Sequence, residues 1–383
     1  MNIIELNLFN LMKFYIQSPL VFLCFICSIL FLSSCGKDSD LFEIISEEQV
    51  DESEEILDSQ NEEEDREDEG NNVEDTDSAI GGDNQKLNII FDTDANNELD
   101  DQHALAYLLS NGDLFNLEAI TVNATHLGGD IDGHFEEALR VLKLYNLEDR
   151  MDIFKGANGA FEDIEQNWNP NNFDGIEAAD ILIEKTREKE TLIVAVGKLT
   201  NVALALRKDP ELANRSKVIW LGSNYPNKGE YNETNDLSAV NYVIESGIPF
   251  EIVTVRLGSS MGSAFVRVNV DEINDRMPGL GPETMEPVPG RHGGQFRHFG
   301  DYSISLFENI GKDTRSLFDL VALSILKNPE WGTQESIPAP ILVNGNWVDR
   351  PENNREITIW GGFNRDAILE DFFESLENYS LVE

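Results

Sequence analysis

Ile89-Ile90-Phe91-Asp92-Thr93-Asp94-Ala95-Asn96-Asn97-Glu98-Leu99-Asp100-Asp101-Gln102-His103-Ala104-Leu105 decides the fold of this chain. A short apolar strand runs directly into five acidic residues, Asp92, Asp94, Glu98, Asp100 and Asp101, and an apolar helix pattern begins at Ala104. A strand followed immediately by a helix belongs to an α/β sheet, and ligands bind at the carboxyl ends of its strands. Crowded carboxylates at such an end repel one another until a cation or shared protons relieve them. The stretch therefore predicts a hard-cation site whose remaining partners lie downstream.

Working outward, the same alternation of β and α patterns continues. Strands are expected at Leu87 to Phe91, Leu117 to Val122, Thr191 to Val196, Lys217 to Leu221 and Phe250 to Val255. Between them, helices are expected at Gln102 to Ser110, Gly133 to Tyr145 (with Asp132 as N-cap), Ala178 to Lys189, Asn201 to Arg207 and Leu237 to Ser246. This predicts an α/β fold, a doubly wound, mostly parallel sheet with helices on both faces. Residues 260–315 are less regular and are expected to form a loop or helical subdomain over the site. A helix from Ser316 to Lys327, a strand pair Ile341 to Val343 with Ile357 to Ile359, and a closing helix Arg365 to Leu376 complete the expectation.

The 383 residues divide into three parts. Residues 1–35 have an apolar run, Leu20 to Leu32, of signal-peptide length, and end in Leu32-Ser33-Ser34-Cys35-Gly36, which resembles a bacterial lipobox. Met12-Lys13 supplies a basic start, so translation is expected from Met12. Cys24 and Cys27 would leave with the signal and Cys35 would be acylated, so no thiol remains for a disulfide. Residues 36–86 are dominated by Asp, Glu, Ser and Asn, cannot bury a core, and read as an acidic disordered tether. Residues 87–383 form the folded part. These features predict a lipid-anchored protein of a bacterial membrane, periplasmic or on the cell surface. Much of the net charge of −44 sits in the tether, and no basic stripe exists to neutralise phosphates, which argues against a nucleic-acid partner.

The motifs then narrow the chemistry. Asp92-x-Asp94 followed by Asp100-Asp101 resembles the Asp-x-Asp-Pro-Gly-x-Asp-Asp signature of the nucleoside hydrolase family of the inosine–uridine-preferring type, with two extra residues and no Pro-Gly. Val194-Ala195-Val196-Gly197-Lys198-Leu199-Thr200-Asn201 is similar to that family's strand, turn and Leu-Thr-Asn helix start. Glu233-Thr234-Asn235 resembles its ribose-binding Glu-x-Asn, and Asp319 falls where its last metal-binding Asp stands. The resemblance implies calcium held by Asp94, Asp101, Asp319 and the carbonyl of Val196, with Asp94 also acting as general base on a calcium-bound water. It implies that Asp100, Glu233 and Asn235 hold ribose hydroxyls, and that Asp92 orients the ligands from behind. The implied substrate is a small nucleoside or related N-riboside, cleaved at its N-glycosidic bond.

The leaving-group side departs from the pattern. Many family members carry a His before the last Asp; here that position is Phe318, which would stack on the base. His126, where the family often has Asn, and His292, with His298 beside it in the irregular segment, are the candidate acids. Two other readings use the same residues. A haloacid dehalogenase-like phosphatase would use Asp92 as nucleophile and Asp94 as acid. A non-catalytic lipoprotein would keep the ribose cage without turnover. The sequence leaves open the base preference and whether the chain is a monomer or a homo-oligomer.

Overall fold

The computed structural model describes residues 86–383. The lipobox with Cys35 and the acidic tether lie outside the described residues. Among the described residues no helix is long and apolar enough to cross a membrane.

The chain opens with β1 (Leu87–Thr93), α1 (Asp100–Ser110), β2 (Phe115–Val122), α2 (Ile131–Leu144), β3 (Ile153–Lys155), α3 (Phe161–Gln166) and α4 (Ile176–Glu188). It continues through β4 (Thr191–Ala195), α5 (Thr200–Lys208), β5 (Ser216–Leu221), α6 (Tyr231–Asn235), α7 (Leu237–Glu245) and β6 (Phe250–Val253). The segment expected to be irregular contains β7 (Arg267–Asn269), α8 (Val270–Arg276), a small hairpin of β8 (Val288–Pro289) and β9 (Gln295–Phe296), and α9 (Phe299–Ile310). The end comprises β10 (Thr314–Ser316), α10 (Leu320–Lys327), β11 (Thr333–Pro338), β12 (Ile341–Val343), β13 (Asn346–Val348), β14 (Glu356–Gly361) and α11 (Arg365–Glu377).

The main sheet has eight strands in the order β11-β14-β6-β5-β4-β1-β2-β3. All its neighbours run parallel except β11, which is antiparallel to β14 at the edge. The doubly wound α/β expectation holds. Strand side chains alternate between two apolar layers, as the pleat requires. Ile89, Phe91, Val194 and Ile219 pack with α1, α2, α9, α10 and α11 on one side. Ile90, Ile193, Val218 and Ile252 pack with α3, α4, α5 and α7 on the other. The sequential winding reverses at β1, whose two neighbours are β2 and β4; that crevice is the switch point of the sheet.

Three expectations need correction. The N-cap of α2 is Asp130, whose carboxylate accepts from the backbone N–H of Asp132 and Gly133 at 3.2 and 3.4 Å. The helix expected from Ser316 begins at Leu320, because Thr314–Ser316 pairs with β7 and leaves Asp319 at the N-cap position. The strand expected to pair Ile341 to Val343 with Ile357 to Ile359 does not form. Instead β12 turns back on β13 through Asn344-Gly345, both at positive φ (50° and 70°), as a two-residue hairpin turn needs. The strand β14 joins the main sheet beside β6, where Ile357 and Ile359 are buried.

One core contact reaches directly to the switch point. Trp220 on β5 is fully buried, stacks on Phe250 and donates from Nε1 to the Gly197 carbonyl at 2.9 Å. Trp220→Ala is expected to destabilise the fold by about 3–5 kcal/mol. Trp220→Phe should cost less, with the unpaired Gly197 carbonyl still contributing about 1 kcal/mol. Denaturant midpoints at constant slope check both values.

Candidate active site

At the carboxyl end of β1, Asp92 is fully buried and fully engaged. Its Oδ1 accepts from Thr121 Oγ1 (2.6 Å) and Asn201 Nδ2 (2.7 Å), and its Oδ2 from Asn123 Nδ2 (3.1 Å). Burial outweighs these donors and pushes its pKa up to about 6. Asp92 thus ties β1 to β2 and α5. A carboxylate with both oxygens occupied and no exposure is not placed to attack a substrate, which removes the basis for the phosphatase reading.

Beyond it the remaining acids converge. Asp100 and Asp101 start α1, and Asp319 heads α10; one carboxylate oxygen from each lies within 4.8 Å of the others, all three residues being buried. Burial, then repulsion from neighbouring carboxylates (Asp94 and Glu230 on Asp100, Asp100 on Asp101, Asp100 and Asp101 on Asp319), drives their pKa values up, Asp100 and Asp101 to about 7 and Asp319 well above the ordinary range. Asp94 stands alongside rather than inside this tight trio. Burial and the charge of Asp101 raise its pKa, while Thr125 Oγ1 donates to its Oδ2 at 2.6 Å. Asp101 also accepts from the Thr93 hydroxyl. The neighbouring Gly197 is required by close approach, since a Cβ there would lie 2.8 Å from Asn123 Oδ1 and 3.0 Å from Asp94 Oδ1.

Across the crevice, Val196 follows β4. Its N–H donates to the Asp92 carbonyl (2.8 Å) and its own carbonyl accepts from Asn232 Nδ2 (2.7 Å). A carbonyl oxygen has two lone pairs, so one acceptor position remains beside that bond. The short helix α6 is capped by Glu230, whose carboxylate accepts from the N–H of Asn232, Ser223 and Glu233 at 3.0, 2.9 and 2.8 Å. Glu233 is fully buried; burial and then the charge of Glu230 raise its pKa to about 7. Its Oε2 accepts from Trp347 Nε1 at 2.8 Å, while its Oε1 is buried with no partner. Asn123 Oδ1 is a second buried acceptor without one. Unpaired buried acceptors at a sheet's switch point are what a ligand's hydroxyl donors would satisfy.

Among the candidate acids, His126 and Asn235 come together: the His126 N–H donates to Asn235 Oδ1 (2.8 Å) and the His126 ring nitrogen also meets that oxygen. Phe318, half-buried, precedes Asp319, and the guanidinium of Arg315 lies 5.5 Å from its ring centroid. His292 is not gathered with them. It is exposed and faces Arg291, Glu137 and Arg140. His298 caps α9, with Nδ1 3.2 Å from the Gly281 carbonyl.

Several site residues went unread in the sequence. Arg291, from the turn of the β8–β9 hairpin, donates to Asn96 Oδ1 (3.1 Å) and the Glu98 carbonyl (2.7 Å), and its charge lowers the pKa of Asp101. It thereby grips the stretch where the acidic motif is two residues longer. Glu230 occupies an N-cap position that Ser, Thr, Asp or Asn usually takes, so the local cap pattern did not point to it. Nothing local pointed to Trp347, which lies over a hundred residues from its partner.

A family profile described as inosine-uridine preferring nucleoside hydrolase matches residues 89–367. The chain belongs to that family. Relatives of this nucleoside hydrolase family member include a probable uridine nucleosidase of Oryza sativa subsp. japonica, 33% identical over 21% of this chain and 28% of that protein. The chain matches about a third or less of the length of such curated relatives. Its fold is similar to a plant nucleoside hydrolase (18% identity, 76% of this chain and 99% of that one, TM-score 0.60). It is also similar to an inosine-uridine preferring nucleoside hydrolase of Bacillus anthracis (15% identity, 76% and 99% covered, TM-score 0.56).

The charge crowding of this nucleoside hydrolase-family site has a thermodynamic consequence. Folding raises the pKa of Asp92 to about 6 and of Asp100 and Asp101 to about 7 from 3.8, so the folded chain holds protons that the unfolded chain has already released. Their stabilising protonation is complete below the unfolded value and lost as pH rises through the folded one. With chelator present, the Tm is expected to fall between about pH 4 and about pH 8 from this source. A hard divalent cation that binds this cluster should raise the Tm, and raise it most at the alkaline end, where the site is most ionised. Thermal melts across pH with chelator or calcium check both slopes.

Proposed function

We propose that the chain hydrolyses the N-glycosidic bond of a ribonucleoside or related N-riboside at the Asp94–Asp319 centre, with calcium as cofactor. The observation that carries this reading is the set of buried, mutually repelling carboxylates at the switch point, together with a buried, unpartnered oxygen of Glu233 on α6, the helix that Asn232 ties to the Val196 carbonyl. The donor set is all oxygen and strongly anionic, which fits a hard divalent cation. Asp94, Asp101 and Asp319 would hold it with the Val196 carbonyl, and Asp100 lies close enough to share in the binding. When bound, calcium neutralises the cluster and acidifies a water beside it.

The chain's own residues do the rest. Asp94, its orientation set by Thr125, takes the proton from the attacking water. Asp100 and Glu233 accept from ribose hydroxyls, and Asn235, its Oδ1 taken by His126, has one amide N–H left to donate to a ribose oxygen. Positive charge builds on the ribose as the C–N bond breaks, and the surrounding carboxylates stabilise it. The water oxygen ends on the sugar, and the bond's electron pair leaves with the base, which gains a proton. Phe318 offers a stacking face for that base, and His126, at the edge beside Asn235, is the remaining candidate donor. Asp and Glu side chains outnumber the cations Arg291 and Lys198 that act on them, which favours a neutral substrate over a phosphorylated one.

Reducing-sugar release from a panel of nucleosides tests this. Release is expected with calcium and is expected to vanish with chelator, and Asp94→Asn should lower kcat by about two orders of magnitude or more. Calorimetric binding with no release at high protein concentration would instead establish the binding-only reading.

We further propose that residues 1–86 anchor this domain to a bacterial membrane through lipid on Cys35, support for which comes from the lipobox-like sequence alone. Cys35→Ala is expected to move the protein from the membrane fraction to the soluble fraction with unchanged activity per molecule. Persistence in the membrane fraction would refute the anchor.

A further inference from the structure

We infer that Trp347 is a positioning residue for substrate recognition: its indole N–H holds one oxygen of Glu233 so that the other is presented to a sugar hydroxyl. This deepens the proposed function and rests on it in assigning Glu233 to the sugar.

Glu233 is constrained at both its backbone and its carboxylate. Glu230 fixes the backbone of α6 by accepting from the N–H of Glu233 itself at 2.8 Å. Its Oε2 accepts from Trp347 Nε1 at 2.8 Å, and the Ser223 side chain and the Gly229 backbone also approach the carboxylate. Oε1 is buried without a partner, and the whole residue has no exposure. A buried acceptor in that condition is costly unless a ligand brings it a donor. Without the indole donor, Oε2 would lose its short hydrogen bond, and the weaker approach of Ser223 and Gly229 alone would set the direction of Oε1.

Trp347 is itself held from two sides. The hairpin β12–β13 that carries it is clamped to α7, where Asn241 Nδ2 donates to the Leu342 carbonyl and the Leu342 N–H donates back to Asn241 Oδ1, both at 2.9 Å. The ring of Tyr225 meets the indole edge-on, with centroids 5.6 Å apart and planes at 84°. Tyr225 is anchored in turn by its hydroxyl, which donates to Asp349 Oδ1 at 2.9 Å. A hairpin outside the main sheet, with one half-buried indole aimed at a buried carboxylate, is therefore rigid where recognition needs it. The donor that satisfies Oε1 must be neutral or cationic, because Glu230 stands beside the same group. A sugar hydroxyl meets that requirement and a phosphate does not.

The test compares the full-length protein with Trp347→Phe and Trp347→His, with calcium, on inosine, uridine and the deoxy analogues that lack one ribose hydroxyl each. Trp347→Phe is expected to raise KM roughly tenfold on the parent nucleosides while kcat stays within about threefold. Trp347→His, which keeps a ring N–H donor, should recover most of that loss. On the one deoxy analogue missing the hydroxyl that Glu233 accepts, wild type and Trp347→Phe should become equal, since the lost interaction is absent from both. An equal penalty on every analogue, or a fall in kcat at constant KM, would overturn the inference in favour of a merely structural tryptophan. The same ratios are read as Kd by calorimetry. Binding without turnover would therefore refute the hydrolysis reading and still decide the role of Trp347, whereas no binding of any nucleoside would refute both.

Discussion

The structure depends on keeping buried carboxylates of like charge side by side at the carboxyl end of one strand. Burial and repulsion both disfavour their ionised forms, and the fold offsets this unevenly. Asp92 receives three neutral donors drawn from β2, the segment after it, and α5, and becomes part of the framework. Asp94 and Asp101 receive a single hydroxyl each, from Thr125 and Thr93. The trio of Asp100, Asp101 and Asp319 is left with its oxygens converging and its repulsion largely unrelieved. Negative charge gathered and not internally neutralised is a binding site in waiting, at an energetic cost carried by the large apolar layers on both faces of the sheet.

Every other part of the site reaches this point from a different direction. The turn after β4 brings Val196 and Gly197 against Asp92 and Asp94, and Trp220 pins it from within the core. The helix α6 brings Glu233 and Asn235, and a C-terminal hairpin brings Trp347. On the other side Arg291 ties the β8–β9 hairpin to Asn96 and Glu98, the lengthened part of the acidic motif. The sugar side of the proposed nucleoside site is thus built on regular elements near the sheet. The leaving-group side rests on Phe318, Arg315 and the exposed edge at His126, where this member of the family departs from the common pattern.

The main strands β1, β2, β4, β5 and β6 were legible because each carries its own apolar alternation, and the longer helices between them because each carries its own period; the three-residue β3 and the short helices α3 and α6 are too brief to show either. Where local pattern and tertiary pairing competed, the reading failed. Ile341 to Val343 looked free to pair with Ile357 to Ile359, yet Asn344-Gly345 closes a nearer hairpin at lower entropic cost. The histidine-rich stretch around His292 looked like a lid over the chemistry, yet it is Arg291 that reaches inward while His292 faces solvent.

The sequence by itself determined that acids stand at a strand end in an α/β sheet, and the order of its motifs pointed to one family. These properties are local: a strand running into carboxylates, a Leu-Thr-Asn helix start and a Glu-x-Asn element are written in adjacent residues. Only the tertiary structure decided which carboxylates are saturated and which remain free. Asp92 and Asp94 are two residues apart and chemically identical, and what separates them is the donors that β2 and α5 bring to one and not the other. The same holds for Glu233, whose free oxygen is defined by an indole contributed from far along the chain. Hydrogen-bond saturation depends on long-range packing, and no spacing along a sequence encodes it.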